Sequence, residues 1–474
     1  MTSLTLEQSQ LYPDIADIVK SQNKDFTPVF NIQTKLHTEA KDLDNSDGVI
    51  INTLYIYRDY INNISDYIEI QLTIPMGTYI YDVYPYLDNI EVTLLTQKQK
   101  SYNKKPFTKA ERYKAVYVLE KNAAIPNNAS QPKDDLNQNL PVVVTLQLLD
   151  RSVETLRVKT TQGNFDKAIN PKNKDMSIKP FLKSLISEEC DKILIENRPA
   201  IDQIYIEDPD NVEPLKSLTL SSGTRLIEVP EYIQNKNIGV YNGGIGNYIQ
   251  TFGLDHFNYR KVFFVYSLFN PKKYDKAEYK LLLYSPPSSG ISVMDHTYKY
   301  EDKVLKVIAQ SVPKVNDSKE TSLMSTGSGY RTSNANSYMK KPVKMTTSGP
   351  VFERSQLNTE VIYKERKDNL NFAPNKSVST NVFALSAEVL QKQGNYIPIE
   401  VNNLDHDFIY PAAPCKISYE DVNRRVKEFK GVIHKAAITY ANTSPNMPLN
   451  YNSKFVALTT HVTLQVFVLD YEKD

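Results

Sequence analysis

The residues of this chain that could do chemistry seldom stand at a spacing that would let them do it. Leu404-Asp405-His406-Asp407 offers two carboxylates and an imidazole, donors that suit a divalent cation. On an extended segment successive side chains alternate faces, so these three are not expected to converge. Asp42-Leu43-Asp44-Asn45-Ser46-Asp47-Gly48 is acid-rich like a calcium loop. Counted from Asp42, however, the sixth position is Asp47 where such a loop needs Gly, and the twelfth is Thr53 where it needs Glu. A solvated turn ahead of a strand is expected there. The glycine cluster Tyr241-Asn242-Gly243-Gly244-Ile245-Gly246 lacks both the GxGxxG spacing and the Lys-Ser/Thr of a phosphate loop, which leaves a turn with positive φ. HExxH and GxSxG are absent. The six histidines, His37, His256, His296, His406, His434 and His461, are scattered singly and read as isolated surface or strand residues. Cys190 and Cys415 lie far apart and read as two buried or semi-buried thiols in a reducing compartment. No catalytic, cofactor-binding or metal-binding residue is assigned, no cofactor is expected, and the chain does not read as an enzyme.

One charged stretch stands out. Lys98, Lys100, Lys104, Lys105, Lys109, Arg112 and Lys114 are interleaved with Tyr102, Phe107 and Tyr113. Lysines with aromatics can contact phosphates and stack on bases. The stretch also falls between two strands, where a long charged hairpin is ordinary.

The elements that must position these residues are mostly strands. Tyr67-Ile68-Glu69-Ile70-Gln71-Leu72-Thr73-Ile74 alternates apolar and polar, the mark of a half-buried strand, and ends at Pro75. Val49 to Tyr57, the run through Ile90, Val92 and Leu94, Tyr113 to Leu119, and Val142 to Leu149 add four more, which together predict an antiparallel barrel or sandwich. Residues 122–139 read as a polar excursion from that sheet. Ile178, Phe181, Leu182, Leu185 and Ile186 follow helical spacing, and a second short helix is expected around Ile227 to Gln234. With strands at Lys261 to Leu268 and Tyr279 to Tyr284 they form a small α+β unit. Residues 312–376 are rich in Ser, Thr and Asn and poor in apolar residues, so they read as a linker or an arm that orders against neighbouring subunits. Ala413 to Tyr419, Val432 to Tyr440 and Phe455 to Leu469 return to strands. Near the start, Ile15, Ile18 and Val19 predict a short helix that docks on something larger.

Length and charge bound the function classes. The chain has 474 residues, enough for about three ordinary domains. Lys and Arg number 56 against 55 Asp and Glu, which leaves no excess charge to drive binding to nucleic acid or an acidic membrane. Tyr is abundant, at 32 residues, and suits contact surfaces because its ring buries apolar area while the hydroxyl keeps a partner. No membrane span and no secretion signal are expected.

Read in order, the segments resemble a baseplate hub protein of contractile-tailed phages, the family whose hub module also occurs in type VI secretion spike proteins. Ile50 to Asp59 followed by Tyr67 to Ile74 is similar to the opening of a first tube-like barrel, and Arg112 to Leu119 with Val142 to Asp150 to its later strands. Glu231 to Lys236, Ile238 to Gly244 and Val262 to Leu268 resemble an interposed α+β domain. Pro411 to Ile417, Lys430 to Ala437 and the last strand resemble the close of a second barrel. The resemblance implies a mainly β fold with an α+β insertion. Its parts would be an N-terminal arm (1–24), a first tube-like antiparallel β-barrel (25–170), an α+β domain (171–287), a second barrel (288–311 and 377–474) and an extended arm (312–376). It also implies a homotrimer in the virion tail baseplate, made in the host cytoplasm, that joins a hexameric tail tube or tube initiator to a trimeric central spike. Baseplate wedge proteins would be further partners, and DNA would only pass through the channel. Another baseplate or virion structural protein, and in a different class a β-rich glycan hydrolase, are the alternatives.

Overall fold

The computed structural model describes residues 15, 17–18, 29–99, 107–118, 141–166, 176–195, 198–212, 214–215, 217–236, 239–252, 261–286, 298–310, 343–346, 350–354, 361–365, 369–372, 391, 394–420, 425–441 and 456–469. The molecule is mostly β, with a few helices. The first third supplies β1 (Val29–His37), β2 (Asp42–Leu43), β3 (Ile50–Asp59), β4 (Tyr67–Pro75), β5 (Glu91–Gln99), β6 (Phe107–Tyr117) and β7 (Pro141–Leu149). The alternation read from the sequence sets their faces. In β4, Ile68, Ile70, Leu72 and Ile74 are buried while Glu69, Gln71 and Thr73 stay half-exposed.

The middle carries α1 (Arg151–Val158), β8 (Thr160–Asp166), α2 (Ile178–Cys190), the short β9 (Leu194–Ile195) and β10 (Arg198–Pro199), β11 (Gln203–Ile206), β12 (Ser217–Arg225), α3 (Val229–Lys236), β13 (Ile245–Thr251) and β14 (Lys261–Ser267). Asp150 caps α1 by accepting from the Ser152 amide at 2.8 Å. In α2, Ile178, Phe181, Leu182, Leu185 and Ile186 form the buried stripe expected from their spacing. These elements share a core of their own with Ile233, Phe263 and Val265.

β15 (Lys280–Tyr284), β16 (Tyr298–Glu301) and β17 (Val304–Ile308) follow. β15 was grouped with the α+β unit from the sequence, but it hydrogen-bonds in parallel to β17 instead. Within the expected arm, β18 (Val343–Thr346), β19 (Pro350–Arg354), β20 (Val361–Glu365) and β21 (Asn369–Phe372) form two ladders of one register, from Val343 opposite Phe372 to Arg354 opposite Val361. The excursion at 122–139 lies outside the described residues.

The chain closes with β22 (Gly394–Asn402), β23 (Pro414–Glu420), β24 (Val426–Ala441) and β25 (Val456–Leu469), and β15 also pairs in parallel with β23. These strands do not form a sheet apart. One sheet of 14 strands runs β16-β17-β15-β23-β24-β3-β4-β7-β6-β5-β1-β25-β22, with β2 on β1. The two longest strands tie its halves together. Along one edge β24 pairs β23 over Val426–Val432 and then β3 over Lys435–Ala441; its other edge pairs β25. β25 likewise gives its far edge to β1 at Val456–Leu458 and to β22 from His461 onward. The outer strands β16 and β22 make no ladder with each other among the described residues, so the sheet as a whole is not a closed barrel.

A bulge at His434 lets β24 serve both neighbourhoods. The register shifts between Ile433 and Lys435. Phe429 is buried between exposed Glu428 and Lys430, the four residues Gly431 to His434 are all buried across the shift, and after it Ala436, Ile438 and Tyr440 are the buried positions. One extra residue reverses which face points inward, because strand side chains alternate with period two.

Candidate functional site

A buried, hydrogen-bonded polar group lies where β3, β13 and the 404–413 loop meet. Arg58 sits on the inward parity of β3, in line with Leu54 and Ile56, and is 1% exposed. Its Nε and Nη2 donate to the two oxygens of Asp66, each at 3.1 Å. Its Nη1 donates to the carbonyls of His406 (2.7 Å) and Ile409 (3.2 Å). The Ile409 carbonyl also accepts from Gln250 Nε2 at 2.9 Å and Tyr60 Oη at 3.4 Å, and Tyr248 Oη donates to Asp66 at 2.8 Å. Burial works against the Arg58 charge, but Asp66 outweighs it and holds the guanidinium above its ordinary pKa. Burial likewise pushes the Tyr60 and Tyr248 hydroxyls up. Neither the guanidinium nor these two hydroxyls is poised to trade a proton near neutral pH. What the cluster does is satisfy buried carbonyls and fix three elements together.

Beside it lies a cavity of about 40 Å³, lined in part by Asp66, Glu111, Tyr113, Asp150, Thr251 and His406. Two of its carboxylates are engaged, Asp66 by Arg58 and Asp150 by Lys261 Nζ at 2.6 Å. Ligand pockets run to about 300–1,000 Å³, so this space is of water size.

The residues singled out from the sequence fall elsewhere or into structural roles. Asp405, His406 and Asp407 were expected not to converge; they do, with candidate ligand atoms within 4.8 Å of one another and all three buried. The segment is not extended: His406–Phe408 is a 3-10 turn, which swings neighbouring side chains to one side. The Asp405 and His406 side chains already serve protein groups. His406 Nδ1 bonds the Tyr440 hydroxyl, Nε2 lies 3.3 Å from Asp407 Oδ1, and Asp405 Oδ1 accepts from the Asp407 amide at 3.0 Å.

Asp42–Gly48 is the turn its sequence indicates. Asp44 caps the 3-10 helix Asn45–Asp47, and Gly48 closes it at φ +81°. In the Tyr241–Gly246 cluster, Gly244 takes φ +76° and its amide bonds the Tyr241 carbonyl. Of the histidines, His37 bridges Asp42 (2.7 Å) and Thr93 (2.8 Å), His461 is exposed, and His256 and His296 lie outside the described residues. His434 is a buried strand residue of β24, and His406 is buried in the 3-10 turn. Cys190 and Cys415 are free and buried. Of the basic stretch, Arg112 pairs with Glu91 on the neighbouring strand, and residues 100–106 lie outside the described residues. Ile15 and Ile18 of the N-terminal arm are buried against Tyr284 and Ile308, and Asp17 bonds Lys299 at 2.9 Å. No helix among the described residues is long and apolar enough to cross a membrane. The Arg58 cluster was not singled out from the sequence; its signal was a charged residue in phase with the apolar face of β3.

No protein-family model and no curated protein matches the chain. Among solved structures it is similar to a tail protein from Neisseria meningitidis MC58, at 8% identity and TM-score 0.39 over 92% of this chain and 96% of that one. A 43 kDa tail protein of prophage MuSo2 from Shewanella oneidensis gives 7% identity and TM-score 0.40 over 91% and 96%. The half-lidded PdpA-VgrG complex of Francisella gives 10% identity and TM-score 0.33 over 100% and 67%. These scores lie below the level at which a common fold is established.

Proposed function

We propose that the chain is a structural component of a contractile phage tail, the baseplate hub that joins the hexameric tube to the trimeric spike and lines the DNA channel. The observation that carries this reading is the pair of long strands, β24 and β25, each spending one part of its length with β1 or β3 and the other with β22 or β23. We read these shared strands as joining two sheet units side by side within the one sheet. Read as two tube-like barrels, they let three copies present six similar units, which is what a threefold-to-sixfold adaptor requires. Neighbouring subunits would cover strand edges that otherwise invite aggregation. The 312–376 arm is read as wrapping a neighbour, and the protein as a non-enzymatic part of the virion. The water-sized cavity and its engaged carboxylates support that reading over a glycan hydrolase.

Light scattering on the purified chain tests it. A mass near three protomers, with rings in negative-stain images, is the expected result. A monomer at all concentrations, or turnover of a polysaccharide lost on one Asp or Glu substitution with the fold intact, would overturn it.

A further inference from the structure

One end of the main sheet carries a surface that neither the Arg58 cluster nor the shared strands use. It is built from two loops, 38–48 between β1 and β3, and 76–89 between β4 and β5. They are fastened to each other. Lys41 Nζ lies 3.2 Å from Asp47 and 3.6 Å from Asp82, and Asn89 Nδ2 donates to Glu39 Oε1 at 2.9 Å. Gly48 packs so near Pro75 that a Cβ there would stand 2.6 Å from the proline ring. On this base the segment Tyr79–Asn89, a π turn followed by a 3-10 turn, buries Val83 completely and leaves Tyr81 and Tyr84 58% and 57% exposed. π turns are rare and often sit at functional positions. The two loops contain six carboxylates, Glu39, Asp42, Asp44, Asp47, Asp82 and Asp88, against the single cation Lys41.

We propose that this rim is a docking surface for a protein partner whose contact face is rich in lysine and arginine. The exposed tyrosines supply rigid contact area at low entropy cost, and each ring can take a cation over its face. The carboxylates steer a cationic surface inward and repel a polyanion, which rejects nucleic acid as the occupant. The inference rests on the chain being an assembly component, and it specifies the chemistry that one end of the sheet recognises.

The test uses the full chain and, as probe, a fluorescein-labelled peptide of residues 98–114, a lysine-rich sequence with interleaved aromatics. A glutamate-rich peptide of equal length and a short DNA duplex are the controls. Fluorescence anisotropy is expected to show binding of the lysine-rich peptide alone, weakening as salt rises. Affinity should fall about tenfold in Tyr81→Ser/Tyr84→Ser, which leaves every charge in place, and by a similar factor in Asp82→Asn/Asp88→Asn. Circular dichroism confirms that both variants fold. Equal binding by the rim variants, no binding by the parent chain, or preference for the duplex would overturn the proposal. Light scattering on the same samples reads the trimeric assembly separately: a trimer that ignores the peptide sinks the rim alone, and a monomer that binds it sinks the hub alone.

Discussion

His434 Nε2 donates to the carbonyl of Leu268 at 2.8 Å, so the residue at the bulge of β24 is bonded directly to the end of the α+β unit. Its other nitrogen, Nδ1, is then the acceptor, 3.0 Å from the Tyr396 hydroxyl of β22. Phe467 of β25 stacks on the ring and Phe269 meets it edge-on, both at 5.0 Å. The residue that reverses the inward face of the strand therefore also binds three other segments, and it does so as a neutral imidazole.

That neutrality makes stability depend on pH. Burial is the main cause that pushes the His434 pKa down, to about 4, with Lys273 and Lys435 adding to it and the Leu268 bond and Asp59 opposing. The ordinary value is about 6.5, so between those limits the unfolded chain binds the proton and the folded one does not. Stability from this group is full above about pH 6.5 and is lost as pH falls to about 4, up to about 3 kcal/mol. Urea denaturation at several pH values between 7.5 and 4.5 should show His434→Gln to be less stable at neutral pH and flatter across the range. Parallel curves for the two proteins would refute the assignment.

Removing Arg58 should be far more damaging than removing an exposed arginine. Arg58→Met removes the cation beside Asp66, which keeps only the Tyr248 hydroxyl, and takes the Arg58 donor from the His406 carbonyl, a loss of about 3–5 kcal/mol. Arg58→Lys keeps the charge but cannot make the two-pronged bond to Asp66 while reaching both carbonyls, and should fall between. Urea midpoints at an unchanged slope report it. An Arg58→Met midpoint within error of the parent chain would show that the cluster is not holding the three elements.

How much of this was legible from residues alone depends on distance along the chain. β3, β4 and β7 could be read because each buries one face and shows it as alternation. The first half of β24 could not: Lys427, Glu428 and Lys430 are exposed, and the bulge at His434 breaks the period in the middle. The placement of β15 between β17 and β23 depends on parallel partners up to about 130 residues away, which no local pattern encodes. The 405–407 cluster converges because His406–Phe408 is a 3-10 turn, where the run of residues alone indicates extended chain. Arg58 was visible in phase with Leu54 and Ile56, yet its partners are Asp66 and, some 350 residues away, the carbonyls of His406 and Ile409.

The two thiols should be silent in the folded protein. Burial, with Asp191 and Glu189 adding to it, pushes Cys190 up to about 12, and burial raises Cys415 as well. The thiolate is the reactive form, so neither should react with a disulfide reagent at pH 8 until denaturant is added, when two thiols per chain appear. Fast release of one equivalent without denaturant would show that a thiol is accessible.

Gly431 tests the packing of the two long strands against each other. It pairs with Val468 across the β24–β25 ladder, and a Cβ there would lie 2.4 Å from Val466 Cγ1 and 2.9 Å from the Phe467 carbonyl oxygen. The valine methyl can shift slightly, but the carbonyl belongs to the ladder and cannot retreat without breaking it. Gly431→Ala should therefore cost about 1–3 kcal/mol by overpacking, although alanine is the better residue for an ordinary strand. Gly223, at φ +91° on the α+β unit with nothing within 4 Å of its Cβ position, serves as the comparison: Gly223→Ala is strained by its backbone but clashes with nothing. If the strands act as the shared element between two sheet units, Gly431→Ala should also lower the trimer fraction in light scattering, whereas Gly223→Ala should lower stability alone.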